Sequence, residues 1–306
     1  MNSSPCQCSP ALKEDIRQMI LEAGACAVGF ATAADIDPTI YDRWIEAGMN
    51  GSMDYMARNR HIRLNPEGLL EGCRTVISIA FPYFYKDQPR SRFFADYALG
   101  SDYHDVLRAR LRPVCDALEE LIPGSATRIC VDSAPIPERT WAVRAGIGFI
   151  GRNRQLIVPG IGSKVFLCEI LWTATVLPDE PCTDTCAGCD ACLRACPSAA
   201  LSHDGVDARR CLSALSVEHK GELPVGTVFP SRICGCDICQ DVCPHNTTPP
   251  VEVIEEFRPR PAILALDEAS LATMDAATFA ETFRRNGVKR LKLTNLLRNL
   301  THRRRN

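Results

Sequence analysis

The chain has 306 residues, of which 46% are hydrophobic and 24% charged, and a formal net charge of −2. This is ordinary for a soluble globular protein of about two domains. It excludes a partner held by bulk charge alone, and no apolar run is long enough to span a bilayer.

Between 10 and 23, Leu12, Ile16, Met19 and Ile20 recur at helical spacing, with Ser9-Pro10 as a start signal and Gly24 as a stop. Residues 25–31 read as a short buried strand, 41–47 as a helix ended by Gly48, and 51–59 as another short helix. The run Arg60-His61-Ile62-Arg63-Leu64-Asn65-Pro66 follows. Residues 75–80 (TVISIA) are β-branched and apolar and predict a strand. A helix is expected over 105–121, with Val106, Leu107, Leu111, Val114 and Leu118 on one face. A strand over 128–131 delivers Asp132-Ser133-Ala134-Pro135 at its end, where Asp132 reads equally well as the cap of the helix predicted over 138–145. Gly146, Gly148 and Gly151 spell Gly-x-Gly-x-x-Gly, but behind a helix instead of a strand, so the dinucleotide-binding context is absent. A strand is expected over 164–175, and the proline-bearing 177–182 marks a domain boundary. A proline-rich link (247–261) leads to two amphipathic helices near 275–285 and 289–300. Arg303, Arg304 and Arg305 read as a phosphate-binding tail or a disordered end. Helices and strands mix without a clean βαβ period, so the fold class is α+β, with a ferredoxin-like insert.

That insert carries the strongest signal. Residues 1–10 show no basic stretch followed by an apolar one, so no signal peptide is read there. Seventeen cysteines without an export signal point to a reducing compartment and to metal. Cys186-x2-Cys189-x2-Cys192-x3-Cys196-Pro197 is the bacterial ferredoxin pattern for a [4Fe–4S] cluster. Cys236-x2-Cys239-x3-Cys243-Pro244 repeats it with Ile233 in place of the first cysteine. In two-cluster ferredoxins the cysteine before proline ligates the other cluster. Cys186, Cys189, Cys192 and Cys243 therefore form one expected set; Cys196, Cys236 and Cys239 form the second, which lacks a ligand. Cys211 and Cys234 are the candidates, and Cys211 is preferred because Cys234 sits one residue from Cys236. Isolated Cys-x2-Cys pairs also hold structural zinc, but the doubled x2-x2-x3-Cys-Pro run is much more specific to iron–sulfur. Cys26, Cys73, Cys115, Cys130 and Cys168 read as small buried hydrophobes, and Cys6 and Cys8 receive no role. Low-potential one-electron chemistry follows, so the rest of the chain should hold an electron acceptor.

Several blocks together resemble the epoxyqueuosine reductase family, over about residues 10–300. They are Asp132 to Pro135, Arg144 to Phe149, the cysteine runs, Asp207 to Ser213, Glu218-His219-Lys220-Gly221 and Cys236 to Gln240. The resemblance implies a cobalamin-binding α/β core, similar to nitroreductases and reductive dehalogenases, over 1–177. A two-[4Fe–4S] ferredoxin-like domain over 178–250 and a short C-terminal helical segment over 251–306 complete the chain. It implies reduction of epoxyqueuosine to queuosine at the tRNA wobble position, with cobalamin, two [4Fe–4S] clusters and an external one-electron donor. A cytoplasmic monomer with no membrane partner is expected. Carried over residue by residue, the proton donor falls on Asp132. Cobalamin contacts fall on Arg63, Asp132, Leu156, Leu167, Ser213, Cys236 and Asp237, a tRNA contact on Lys220, and the last ligand of the second cluster on Cys211. Two departures stand out: many members continue into a helical-repeat tail, and position 234 is usually aromatic.

Opening an epoxide leaves an alkoxide-like oxygen, and a positioned carboxylic acid can donate a proton as that charge develops, for a gain of ~10²–10⁴-fold. Asp132 is then expected to have a raised pKa, from burial beside an apolar corrin. His104, in Asp102-Tyr103-His104, could ligate cobalt, although a free lower face suits Co(I) better. Blander readings make Arg63 a solvated surface residue, Ser213 a helix cap and Lys220 a loop charge. Two other functions compete: a plain electron-transfer ferredoxin module on an inert domain, and a dehalogenase-like reductase of a small organic substrate, whose respiratory type the missing export signal speaks against.

Overall fold

The computed structural model describes residues 9–304; Cys6, Cys8 and Arg305 lie outside the described residues. Ser9 accepts the Leu12 amide and caps the helix Pro10–Glu22, which buries Ile16 and Ile20. Six strands follow along the chain: β1 (Ala27–Thr32), β2 (Thr75–Pro82), β3 (Thr127–Cys130), β4 (Phe149–Ile150), β5 (Leu156–Ile157) and β6 (Val165–Trp172). Four of them form one antiparallel sheet in the order β1-β2-β6-β3. β2 is buried along its whole length, as a central strand covered on both faces must be.

The period of two divides the sheet. Ile77, Ile79 and Phe81 of β2, with Cys168 and Ile170 of β6, face the helices Pro10–Glu22 and Tyr103–Leu121 in the main core. Val76 and Ala80 point the other way, toward Trp141 and Ala142 of the helix Glu138–Arg144. Ser78 and Glu169 are cross-strand partners and share that second face, because alternate residues of a strand do. A further core unites Phe93, Phe94 and Leu99 with Leu212, Leu215 and Phe229 and with Ile263, Phe283 and Leu296. The C-terminal helices thus pack on the cysteine-bearing segment and on the loop after β2.

The structure refines several expectations. The stretch 51–59 holds only Asp54–Arg58, and a second helix, Arg60–Leu64, follows directly. The last helix is split into the 3-10 turn Gly287–Leu291 and the helix Lys292–Thr301, with Lys292 at φ 63°. Two short helices, Pro261–Leu264 and Glu268–Ala272, lie in a stretch where the pattern was too short to read. The glycine motif serves backbone packing: Gly146 takes φ 75°, and a side chain at Gly148 would sit 2.4 Å from the Ile157 carbonyl oxygen in the β4–β5 hairpin. Among the described residues, no helix is long and apolar enough to cross a membrane.

Candidate active site

Asp132 lies two residues beyond the end of β3, in a tight turn at φ 47°. Its amide donates to Glu138 Oε1 at 2.7 Å, which anchors the turn to the next helix. The cap reading fails, because Pro137 occupies the N-cap of Glu138–Arg144 and no side chain caps that helix. The Asp132 carboxylate instead faces His104 Nε2, at 3.0 Å from Oδ2. The other ring nitrogen, Nδ1, lies 2.7 Å from Asp102 Oδ1. Asp102 is itself the N-cap of Tyr103–Leu121, accepting the His104 amide at 3.1 Å. Arg290 of the C-terminal segment stands 3.6 Å from Asp132 and 3.1 Å from Glu218.

These partners act against the raised pKa expected for Asp132. Desolvation pushes its carboxyl up, but the His104 hydrogen bond and charge, aided by Tyr103 and Arg290, outweigh that and hold it below the usual value. His104 moves the other way. Burial pulls its pKa down, but the hydrogen bonds to Asp102 and Asp132 and their charges raise it to about 9. Near neutral pH the proton therefore sits on the imidazole and Asp132 is ionised. With carboxylates on both ring nitrogens, His104 also has no lone pair to offer a metal. Burial, and then the Asp132 charge, push Glu138 up to about 8. Glu169 is raised well above its usual value by burial and by the charge of Glu138.

The remaining expected residues fall into place unevenly. Arg63 is buried, with Nε lacking any partner, so the solvated-surface reading is wrong. Asp237 is 1% exposed; its Oδ2 accepts the Asp96 amide at 2.8 Å, while Oδ1 is buried and unpaired. Burial, and then the Asp96 charge, push its carboxyl up to about 6. Buried polar atoms left unpaired are costly, and orphans at two of the positions expected to meet cobalamin fit a polar ligand there. Two tyrosines that sequence reasoning missed tie these residues together. Tyr55 lies within electrostatic reach of Arg63, Asp132, Glu218 and Arg290. Tyr97 lies within reach of Asp237, Asp132 and Glu218. Leu156 and Leu167 pack in one small apolar cluster beneath the Glu138–Arg144 helix. Ser213 lies inside the first turn of Leu212–Val217, whose N-cap is Cys211, so it is not a cap. Lys220 is exposed, two residues beyond Glu218.

The cysteines gather in two neighbouring groups. Cys186, Cys189, Cys192 and Cys243 line one cavity with Arg152 and His245. Cys211 lies near enough to Cys196 for their charges to interact, as do Cys236 with Cys211, and Cys239 with Cys236 and Cys211. Cys239 also senses Cys192, which places the two sets side by side. Cys234 is turned toward Tyr97 and Asp237. Among the described residues, no three His, Cys, Asp or Glu side chains converge as a single metal ion would require. Amides of Arg152 and Ala200 donate to the Cys186 and Cys196 sulfurs, each at 3.3 Å, a contact that tunes cluster potentials.

The segment also meets the sheet through buried charge. Lys164 Nζ lies 2.6 Å from Asp96 Oδ2 and 2.8 Å from Asp241 Oδ1. Arg90 stands 2.9 Å from Asp96, and Arg232 lies 3.4 Å from Asp237 and 3.3 Å from Asp241. Three cations thus meet three carboxylates, two of which flank the cluster cysteines.

A family model for epoxyqueuosine reductase QueG matches residues 63–133, and one for a 4Fe-4S double cluster binding domain matches 185–246. The chain is 33% identical over 296 residues to an epoxyqueuosine reductase of Leadbetterella byssophila, covering 94% of this chain and 96% of that one. A relative from Aliivibrio fischeri is 35% identical over 306 residues, covering 95% of this chain and 81% of its own length. A crystal structure of epoxyqueuosine reductase with an epoxyqueuosine-modified tRNA-Tyr stem loop superposes with a TM-score of 0.85 at 32% identity, over 95% of this chain and 80% of that one. The Bacillus subtilis enzyme, with its catalytic aspartate loop swung out of the active site, gives 0.84 at 31% identity, over 95% and 80%. Over nearly its whole length, then, this chain belongs to the epoxyqueuosine reductase family of oxidoreductases.

Proposed function

We propose that this protein reduces epoxyqueuosine to queuosine at the wobble position of tRNA, with cobalamin and two [4Fe–4S] clusters, and that Asp132 delivers the proton to the departing epoxide oxygen. The observation that carries the reading is the convergence of Asp132, the orphaned Arg63 and the orphaned Asp237 around Tyr55 and Tyr97. The Asp132 carboxylate, hydrogen-bonded to His104, thus shares its surroundings with two buried polar atoms left without a partner. When bound, the clusters supply single electrons at low potential and cobalamin supplies a cobalt centre able to take them up.

The chain's own residues do the rest. Cys186, Cys189, Cys192 and Cys243 hold one cluster, and Cys196, Cys211, Cys236 and Cys239 hold the other. Burial raises the Cys236 thiol to about 11, so ligation displaces protons from these cysteines. Arg63, Asp237, Ser213, Leu156, Leu167 and the Cys236 backbone hold the corrin, with Asp132 against it. Lys220 contacts the anticodon stem-loop from the rim. The division of labour follows the chain: catalysis in 1–177, electron transfer in 178–250, and in 251–306 a helical segment that lends Arg290 to the site. A cytoplasmic monomer, fed by an external one-electron donor, completes the proposal.

The test is anaerobic turnover. Protein reconstituted with iron, sulfide and cobalamin is given a chemical reductant and epoxyqueuosine-bearing tRNA, and the digested nucleosides are weighed by mass spectrometry. Conversion to queuosine is expected. A fully loaded protein that leaves the epoxide intact would overturn the reading.

A further inference from the structure

Removing an epoxide oxygen to leave an alkene consumes two electrons and two protons. One C–O bond breaks and the oxygen takes a proton to become a hydroxyl; the second C–O bond breaks and the hydroxyl leaves with another proton as water. Both electrons come from the reductant of the proposed reaction, on which this inference rests. A single carboxylic acid has only one proton to give. The structure shows where a second can come from.

His104 sits between two carboxylates, Asp102 on Nδ1 at 2.7 Å and Asp132 on Nε2 at 3.0 Å. Ionised carboxylates only accept, so both ring nitrogens must carry hydrogen for both bonds to form. The bridge is therefore an imidazolium, with one N–H aimed at the oxygen that Asp132 uses as an acid. The ring is fixed from several sides. Tyr103 stacks on it at 4.1 Å, and Asp102 is tied down by capping the helix. Arg108 and Arg260 bear on Asp102; Glu138 and Arg290 bear on Asp132 from the far side.

We propose that His104 is the positioning residue that loads Asp132, passing its Nε2 proton to Oδ2 before each transfer so that one carboxyl serves both protonations. Asp132, a carboxylate at rest, takes the Nε2 proton of His104 and passes it to the epoxide oxygen, returning to the carboxylate. His104 is then neutral, keeping the Nδ1 hydrogen on Asp102, so that the Nε2 lone pair still faces Asp132. Its ring, with a side chain 18% exposed, regains a proton from solvent and repeats the transfer for the departing hydroxyl.

Two variants test this through the pH dependence of turnover. In the wild type the rate should hold up to about pH 9, where His104 loses its proton, and fall above it. His104→Gln, which keeps a hydrogen-bonding side chain but no titrating proton, should remove the falling limb near pH 9 and cut the rate at pH 8 by ~10²-fold. Asp102→Asn keeps a competent helix cap and removes one of the charges that raise His104, so its limb should shift down by about one unit. It also carries the test if His104→Gln does not fold. A wild-type limb in both variants, or slower turnover with an unmoved limb, would overturn the proposal. Melting temperature against pH is a second readout that needs no substrate. The folded-state pKa of His104 is raised, so its contribution is whole below about 6.5 and is lost as pH rises through about 9; the wild type should lose stability over that window and His104→Gln should not. Identical melting profiles defeat the inference on their own, whereas absence of wild-type turnover at every pH defeats the functional reading.

Discussion

Lys164 offers the sharpest test of how the cluster segment is fastened to the sheet. Its side chain is 7% exposed and that of Asp96 is fully buried, with 2.6 Å between their charged atoms. Lys164→Met keeps most of the volume and removes the charge. Breaking a buried pair by deleting one partner costs ~3–5 kcal/mol, because the other charge is left in a low dielectric. Asp96 keeps Arg90 at 2.9 Å and Arg232 at 3.5 Å, which places the expected loss near the lower end, about 3 kcal/mol. At ~2 °C per kcal/mol for a chain of this size, the melting temperature should fall by about 6 °C. Asp241 loses a partner as well, and it lies between Cys239 and Cys243, so iron should pass to a chelator faster. The decisive control is the double variant Asp96→Asn, Lys164→Met, which restores the balance of cations and carboxylates and should recover much of the loss. Anaerobic thermal melts and chelator kinetics on all variants make the measurement. A single variant that costs under ~1 kcal/mol, or a double variant no better than the single, would refute the argument that charge balance, and not packing, makes the joint.

Asp132→Asn should retain iron and cobalt and lower turnover by ~10²–10⁴-fold; full activity in single-turnover assays would remove Asp132 from the chemistry. Cys211→Ser should drop iron from about eight to about four per chain while Cys234→Ser leaves it unchanged; the opposite pattern in an iron assay would exchange their roles. Arg63→Met removes a charged donor whose Nε is buried and unpaired, and should weaken cobalamin binding by ~10–100-fold in equilibrium dialysis; unchanged retention would place Arg63 outside the corrin site.

What could be read in advance divides along physical lines. The helix over 10–23 and the strand over 75–80 were legible because burial of one face, or of both, imposes a period on the residues. The double-cluster segment was legible because cubane geometry constrains cysteine spacing along the chain. The surroundings of Asp132 were not. His104 lies 28 residues before it and Arg290 far beyond it, and nothing in either local pattern reports a contact made only by the tertiary fold. The expectation of a raised pKa weighed burial alone and left out a cation whose place only the fold reveals. Tyr55 and Tyr97 left no signal, because a half-buried tyrosine is an unremarkable residue until its neighbours are known.

The same contacts explain why the site needs the whole chain. Asp132 comes from the end of β3, Glu218 from the loop after the second-set cysteine, and Arg290 from the turn before the last helix. Arg290 spans the two acids, so the C-terminal segment adds to the charge around Asp132 as well as closing the second core. Two carboxylates facing one guanidinium repel each other once it is withdrawn, which would raise the proton affinity of Asp132.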